Sequence, residues 1–254
     1  MGLYIYNSDE IKKIRDACVI TANILDEIGH LIDDGTALGD LDAQVRVLCR
    51  KFGAKPAFLG YSGFPATICA SVNSVVIHGI PDRKTRLRAG DIIGIDFGVL
   101  YQGYYGDSAR TFPVGSISQE AETLLKVTRE SLYKGIEAAK EGNRISDISH
   151  AVESHVLKYG FSAVRDFVGH GIGRSLHEEP SIPNFGAPGK GPRIRNGMVF
   201  AIEPMINQGG PEVSVLEDGW TAVTDDGSLS AHFEHTVAII DGKAEVLTAG
   251  KDFR

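Results

Sequence analysis

The sequence predicts an α+β fold made of two copies of one unit, with helices backing an antiparallel sheet. Three observations lead there. The chain matches itself at a shift of 107 residues, apolar residues early in each copy recur at helical spacing, and the later part of each copy holds Val-, Ile-, Phe- and Tyr-rich runs broken by Gly and Pro. Helices that run together and strands that run together imply α+β and not alternating βα units.

The shift lays Gly35-Thr36-Ala37-Leu38-Gly39-Asp40-Leu41 over Gly142-Asn143-Arg144-Ile145-Ser146-Asp147-Ile148, and Arg88-Ala89-Gly90-Asp91 over Arg195-Asn196-Gly197-Met198. It also lays Asp96 over Glu203. A further match, His78-Gly79-Ile80 with His170-Gly171-Ile172, has a shift of 92. The expected organisation is one catalytic domain, 1–254, with repeat halves at about 8–113 and 118–247. Each half opens with a helix: Ser8 as N-cap with Ile11, Ile14, Cys18, Leu25 and Ile28 on one stripe, and Ser118 with Leu124, Leu125, Thr128 and Leu132. Gly35 and Gly142 are expected to end those helices, and Gly53 and Gly160 to end the shorter helices that follow. Strands are expected at 92–100, 104–112, 199–206 and 233–240.

Composition narrows the function. A chain of 254 residues with 43% hydrophobic and 23% charged residues is globular and not disordered. A net charge of −7 argues against a partner held by its phosphate backbone, so no direct nucleic-acid binding is expected, and Arg83-Lys84-Thr85-Arg86-Leu87-Arg88 reads as a solvated turn. The apolar runs are too short for a membrane span and the polar start holds no secretion signal, so a cytoplasmic protein is expected. Cys18, Cys49 and Cys69 lack C-x-x-C spacing, which implies three reduced, mostly buried thiols.

The informative anomaly is acidic residues inside greasy strands. Asp96 interrupts Ile92-Ile93-Gly94-Ile95-Asp96-Phe97-Gly98-Val99-Leu100, while Glu203 and Glu234 sit in Phe200-Ala201-Ile202-Glu203-Pro204-Met205-Ile206 and Phe233-Glu234-His235-Thr236-Val237. Buried anions need cations. A turn near Gln102-Gly103 brings Asp107 within about two residues of facing Asp96, and opposed strand side chains approach to about 4.5–5.5 Å at Cβ. Arg110 falls on the other face of its strand by alternation, so a divalent cation fits better than an arginine. His170, between Gly169 and Gly171, completes an oxygen-rich set that suits Mn, Fe(II), Co or Zn. Five such ligands imply two metals about 3.5–4 Å apart, an arrangement used for hydrolysis by an acidified water. Each residue alone has an ordinary structural reading; their coincidence, with Asp96 and Glu203 at equivalent repeat positions, decides for metal.

Val76-Ile77-His78-Gly79-Ile80-Pro81, Gly94-Ile95-Asp96, Gly106-Asp107, Gly169-His170-Gly171-Ile172-Gly173, His177-Glu178-Glu179-Pro180, Ala201-Ile202-Glu203-Pro204-Met205 and Phe233-Glu234-His235-Thr236 resemble the methionine aminopeptidases over almost the whole chain. The 31 positions from Glu203 to Glu234 leave no room for the helical insertion of the type II enzymes, so the resemblance is to type I, in its short bacterial form. It implies a pseudo-twofold pita-bread fold with a curved sheet around two divalent ions. By motif, Asp96 would hold one ion, His170 and Glu203 the other, and Asp107 and Glu234 both. Glu203 would also accept a proton, His177 would hydrogen-bond the reacting carbonyl, and His78 would contact the substrate amide.

The resemblance further implies a methionine pocket of Tyr61, Phe64, Cys69, Leu176 and Trp220, with two departures: Phe64 stands where many members have Tyr and Leu176 where bacterial members commonly have Phe. Cys69 reads as a pocket wall and not a nucleophile, since no Cys-His pairing is evident. Asn73, Val75 and Ser230 match a monovalent-cation site, implying one sodium or potassium ion. The implied activity is removal of initiator methionine from nascent polypeptides near the ribosome, with a small second residue preferred and a monomer acting. Two rivals share the scaffold. An Xaa-Pro peptidase would have an extra N-terminal domain and a different motif at Glu234, and a metal-free binding protein would have lost ligands.

Overall fold

The computed structural model describes residues 2–251, so the outermost positions of the expected 1–254 domain lie outside the described residues. Four helices form the outer layer: α1 (Ser8–Gly29), α2 (Leu38–Lys51), α3 (Gln119–Ala138) and α4 (Ile145–Val156). The cap of α1 is Asn7, one residue before the expected Ser8. Its Oδ1 accepts from Glu10 N at 3.0 Å while Glu10 Oε2 accepts from Asn7 N at 3.0 Å, a reciprocal pairing that Ser8 followed by Ile11 would not supply. Ser118 caps α3 as expected, accepting from Ala121 N at 3.1 Å.

Gly35 and Gly142 do not end α1 and α3, which stop at Gly29 and Ala138. Both glycines sit at positive φ (81° and 91°) in the turn that leads into the next helix. That turn is duplicated at hydrogen-bond level. Gly35 N donates to Leu87 O and Leu87 N to Thr36 O; 107 residues on, Gly142 N donates to Ile194 O and Ile194 N to Asn143 O. Gly53 and Gly160 follow the second helices at positive φ. The basic stretch around Arg83, Lys84 and Arg86 is an exposed turn, with Asp82 Oδ1 accepting from Lys84 N and Thr85 N.

Every strand pairing is antiparallel. In the first half, Ile92–Tyr101 pairs with Tyr104–Pro113 on one edge and with Lys55–Pro56 and Cys69–Val72 on the other. In the second half a five-stranded sheet runs Lys243–Val246, His235–Ile240, Val199–Ile202, Gly169–Gly171, Glu178–Ile182. Each sheet buries its inner face against a helix pair: Ile24, Leu41 and Val45 against Ile93, Ile95 and Phe97, and Leu124, Leu132 and Val152 against Phe200, Ile202 and Val237. Burying such a side chain contributes about 1.5–3 kcal/mol, so these two layers fix the scaffold.

The expected strands 199–206 and 233–240 are each broken. Val199–Ile202 belongs to the five-stranded sheet and Met205–Asn207 to a small one with Ser162–Ala163 and Ser230–His232, while the last long strand begins only at His235. Pro204 has no N–H for the ladder, and Asn184 Nδ2 bonds the Glu203 carbonyl at 3.0 Å. Glu203 and Glu234 therefore lie at joints between sheets, not inside strands. At the second joint the halves are stitched together: Glu234 N donates to Ala109 O, Ser108 Oγ to Glu234 O, and Thr236 Oγ1 to Asp107 O.

Candidate metal centre

The register of the first hairpin sets Asp96 opposite Ala109 and Asp107 opposite Gly98, which puts both carboxylates on one face, two residues apart. A Cβ on Gly98 would lie 3.2 Å from Asp107 Oδ1, so glycine leaves room for that carboxylate. Arg110 points to the opposite face and meets Asp26 of α1 at 2.9 Å. From the other half come His170, on the short Gly169–Gly171 strand, and the two joint residues. Gly169 and Gly171 are needed because a Cβ at either would stand 2.5 and 2.4 Å from the carbonyls of Ala201 and Glu179. What crowds them is neighbouring backbone.

Donor atoms of Asp107, His170 and Glu234 all lie within 4.8 Å of one another. His170 Nε2 is 3.4 Å from Glu203 Oε1. His170 Nδ1 bonds the Gly171 carbonyl at 2.9 Å, which places the proton there and leaves the Nε2 lone pair facing the acids, the tautomer a metal ligand needs. None of the five residues is more than 8% exposed.

Electrostatics make the cluster unsatisfied as it stands. Burial, then the Asp107 charge, raises Asp96 well above the usual carboxylate range, and burial raises Asp107 to about 7. Glu203 and Glu234 are raised by burial and then by the neighbouring acids. Burial lowers His170 to about 3. Asp96 Oδ1, Asp107 Oδ1 and Glu234 Oε1 are buried without a hydrogen-bond partner. Four crowded carboxylates, three with orphaned oxygens, beside a lone-pair imidazole form the donor set that one or two divalent cations satisfy.

These acids floor a cavity of about 240 Å³. Phe64, Cys69, Leu176 and Trp220 line it, with Phe64 and Trp220 edge to face at 5.1 Å. His78, at φ 60°, stands edge-on to Phe167 and Trp220. Burial, then His177, lowers it to about 4. His177 and the exposed Tyr61 form the lip, joined by a 2.7 Å hydrogen bond. Burial and the nearby acids raise the Cys69 thiol well above its ordinary value, which keeps it an inert wall. Ser230 N donates to Asn73 O at 2.9 Å, which brings two of the three expected cation-site residues together, while Val75 pairs with Val223.

Sequence reasoning missed Phe58, Ser62 and Ile77 of the cavity wall, and His232. His232 Nε2 lies 3.5 Å from Glu203 Oε2, and its backbone N and O both bond the Thr111 hydroxyl. No local signal marked it, since its strand ends at His232 and alternation does not carry on to Glu234. A larger cleft of about 740 Å³ lies behind the hairpin, bordered by Asp26, Arg110 and Arg129. None of the clustered acids lines it, so size does not mark the reactive site.

Comparisons with known proteins agree with this geometry. The model of metallopeptidase family M24 matches residues 12–241. A methionine aminopeptidase of Clostridium acetobutylicum is 48% identical over 246 residues, covering 97% of this chain and 98% of the relative. The crystal structure of a methionine aminopeptidase from Thermotoga maritima superposes with a TM-score of 0.96 at 45% identity, covering 97% of this chain and 99% of that one. A prolidase from Pyrococcus furiosus shares the pita-bread scaffold less closely, with a TM-score of 0.80 at 25% identity and 66% of its length covered. The duplicated helix-backed sheets, the acid-lined cavity and these full-length matches together mean that the chain belongs to metallopeptidase family M24 and, within it, to the methionine aminopeptidases.

Proposed function

We propose that this protein is a metal-dependent aminopeptidase that removes the initiator methionine from nascent polypeptides whose second residue is small. The observation that carries the reading is the group of four buried acids and one imidazole at the floor of an apolar cavity. Asp96, Asp107, His170, Glu203 and Glu234 would hold two divalent ions, of Co, Mn, Fe(II) or Zn. When bound, such ions supply an acidified water and polarise the scissile carbonyl.

The chain's own groups do the rest. Phe64, Cys69, Leu176 and Trp220 take the methionine side chain, whose thioether gains from aromatic contact. His177 hydrogen-bonds the carbonyl oxygen as it becomes negative, Glu203 accepts a proton, and His78 contacts the substrate amide and helps deliver a proton to the leaving amine. The free α-amine sits beside Asp96, which restricts action to chain ends. Asn73, Val75 and Ser230 are the proposed holders of a sodium or potassium ion. Among the described residues no helix is long and apolar enough to cross a membrane. The working form is proposed to be a cytoplasmic monomer near the ribosome.

The test is cleavage of Met-Ala-Ser against Ala-Pro peptides, with metal added and then chelated. Release of methionine that stops on chelation is expected. Cleavage of Ala-Pro alone would identify an Xaa-Pro peptidase, and cleavage of neither a binding protein. Anomalous scattering at candidate edges after anaerobic purification would name the metal.

A further inference from the structure

Tyr61 borders the cavity at its open edge, where the residue is 40% exposed. Its hydroxyl lies 2.7 Å from His177 Nδ1, with the two rings tilted at 43° and 5.1 Å apart. The turn that carries it is built to hold it there. Gly60, Ser62 and Gly63 have φ of 84°, 47° and 91°, and Ser62 adopts a conformation serine seldom occupies. Tyr61 N donates to Phe58 O, Phe64 N to Tyr61 O, and Gly60 N to Phe64 O, so the turn is closed on itself.

His177 is fixed from the other side as well. Its neighbour Glu178 accepts from the Tyr6 hydroxyl at 2.8 and 2.7 Å and from Ser175 N at 2.9 Å, while the His170 ring packs 4.3 Å away. With Nδ1 committed to the phenol, Nε2 is the remaining polar atom of the imidazole. A phenol O–H is a far better donor than a neutral imidazole N–H, so the hydroxyl donates and Nδ1 accepts. The ring proton then resides on Nε2. The opposite arrangement would put a lone pair at Nε2, which cannot stabilise a developing negative charge.

We propose that Tyr61 is a positioning residue that, by donating its hydroxyl proton to His177 Nδ1, holds His177 as the Nε2–H tautomer ready to donate to the substrate carbonyl oxygen. This deepens the aminopeptidase reading and rests on it for the identity of the carbonyl. Two measurements test it. Long-range ¹H–¹⁵N correlation spectra of the metal-free protein should show His177 protonated at Nε2, and Tyr61→Phe should convert it to a tautomer mixture. A wild-type spectrum with the proton on Nδ1, or one unchanged in Tyr61→Phe, overturns the proposal.

With Met-Ala-Ser, Tyr61→Phe should lower kcat about ten-fold and move KM by less than about two-fold, because the ring and its contacts stay. In a His177→Ala background the same change should add nothing. A rise in KM with kcat intact would make Tyr61 a wall only, and an equal loss in the His177→Ala background would mean it acts independently of His177. Failure of the wild-type protein to release methionine would sink the aminopeptidase reading instead, while the spectra would still decide the tautomer.

Discussion

Asp107 sets part of the electrostatics of the centre: buried and opposite Gly98, it is raised to about 7, and its charge adds to burial in raising Asp96 and Glu234 and, after burial and Asp96, Glu203. Asp107→Asn should lower turnover of Met-Ala-Ser by more than about a hundred-fold, beyond the usual effect of a residue that merely supports a ligand. The same variant should keep its fold and melt no lower than wild type without metal, because the substitution removes repulsion and leaves the apolar layers untouched. Full turnover would refute the assignment. His232 sits one step further out, its buried Nε2 3.5 Å from Glu203 Oε2 and without a hydrogen-bond partner. His232→Ala should cost about ten-fold in kcat and His232→Gln, which retains a donor, should restore most of it; equal losses in both would point to packing alone.

Helix α1 and the strand Tyr104–Pro113 meet with almost no tolerance. A Cβ on Gly106 would lie 2.6 Å from Cys18 N and 2.8 Å from Ala17 C, and Thr21 Oγ1 bonds the Gly106 carbonyl at 3.0 Å. Backbone cannot yield as a side-chain tip does, so Gly106→Ala has to push helix and strand apart. A loss of about 1–3 kcal/mol in urea unfolding is expected, with reduced metal affinity because Asp107 is the next residue. An unchanged urea midpoint would mean that the helix rides on the strand more loosely than these contacts imply.

Across the whole molecule two sets of buried groups respond to pH in opposite directions. His78, His170, His232 and His235 are lowered by burial from 6.5 to between about 3 and about 4, so the unfolded chain binds more protons and stability rises with pH up to about 6.5. The four acids are raised, so the folded protein binds more protons, and their contribution is lost as pH climbs from the ordinary carboxylate range, through about 7 for Asp107. The two sets offset one another below about pH 6.5. Above it the histidines no longer contribute while Asp107 still ionises, so the metal-free protein should lose stability. Saturating Mn²⁺ should abolish that slope by favouring the ionised carboxylates and binding only the folded form. Urea midpoints measured across this range check both curves; a metal-free protein that gains stability there would contradict the raised acids.

The helix-then-strand order and the four clustered acids are legible in the residues alone, because an acid in an apolar run violates its local pattern wherever the chain goes. Tertiary structure alone decided what depends on distant partners. An apolar run through Pro204 reads as one strand until the fold assigns its ends to different sheets, and the same holds at Glu234, whose N–H bonds the opposite half. The Asn7 cap, by contrast, was legible locally, since Asn7 followed three residues later by Glu10 has capping-box spacing. The contact between Tyr61 and His177 spans 116 residues and His232 meets Glu203 across two strands, so neither has a local signature. Periodicity and burial are properties of a segment and are written along it, whereas hydrogen-bond partners belong to the closed molecule and exist only once remote segments meet.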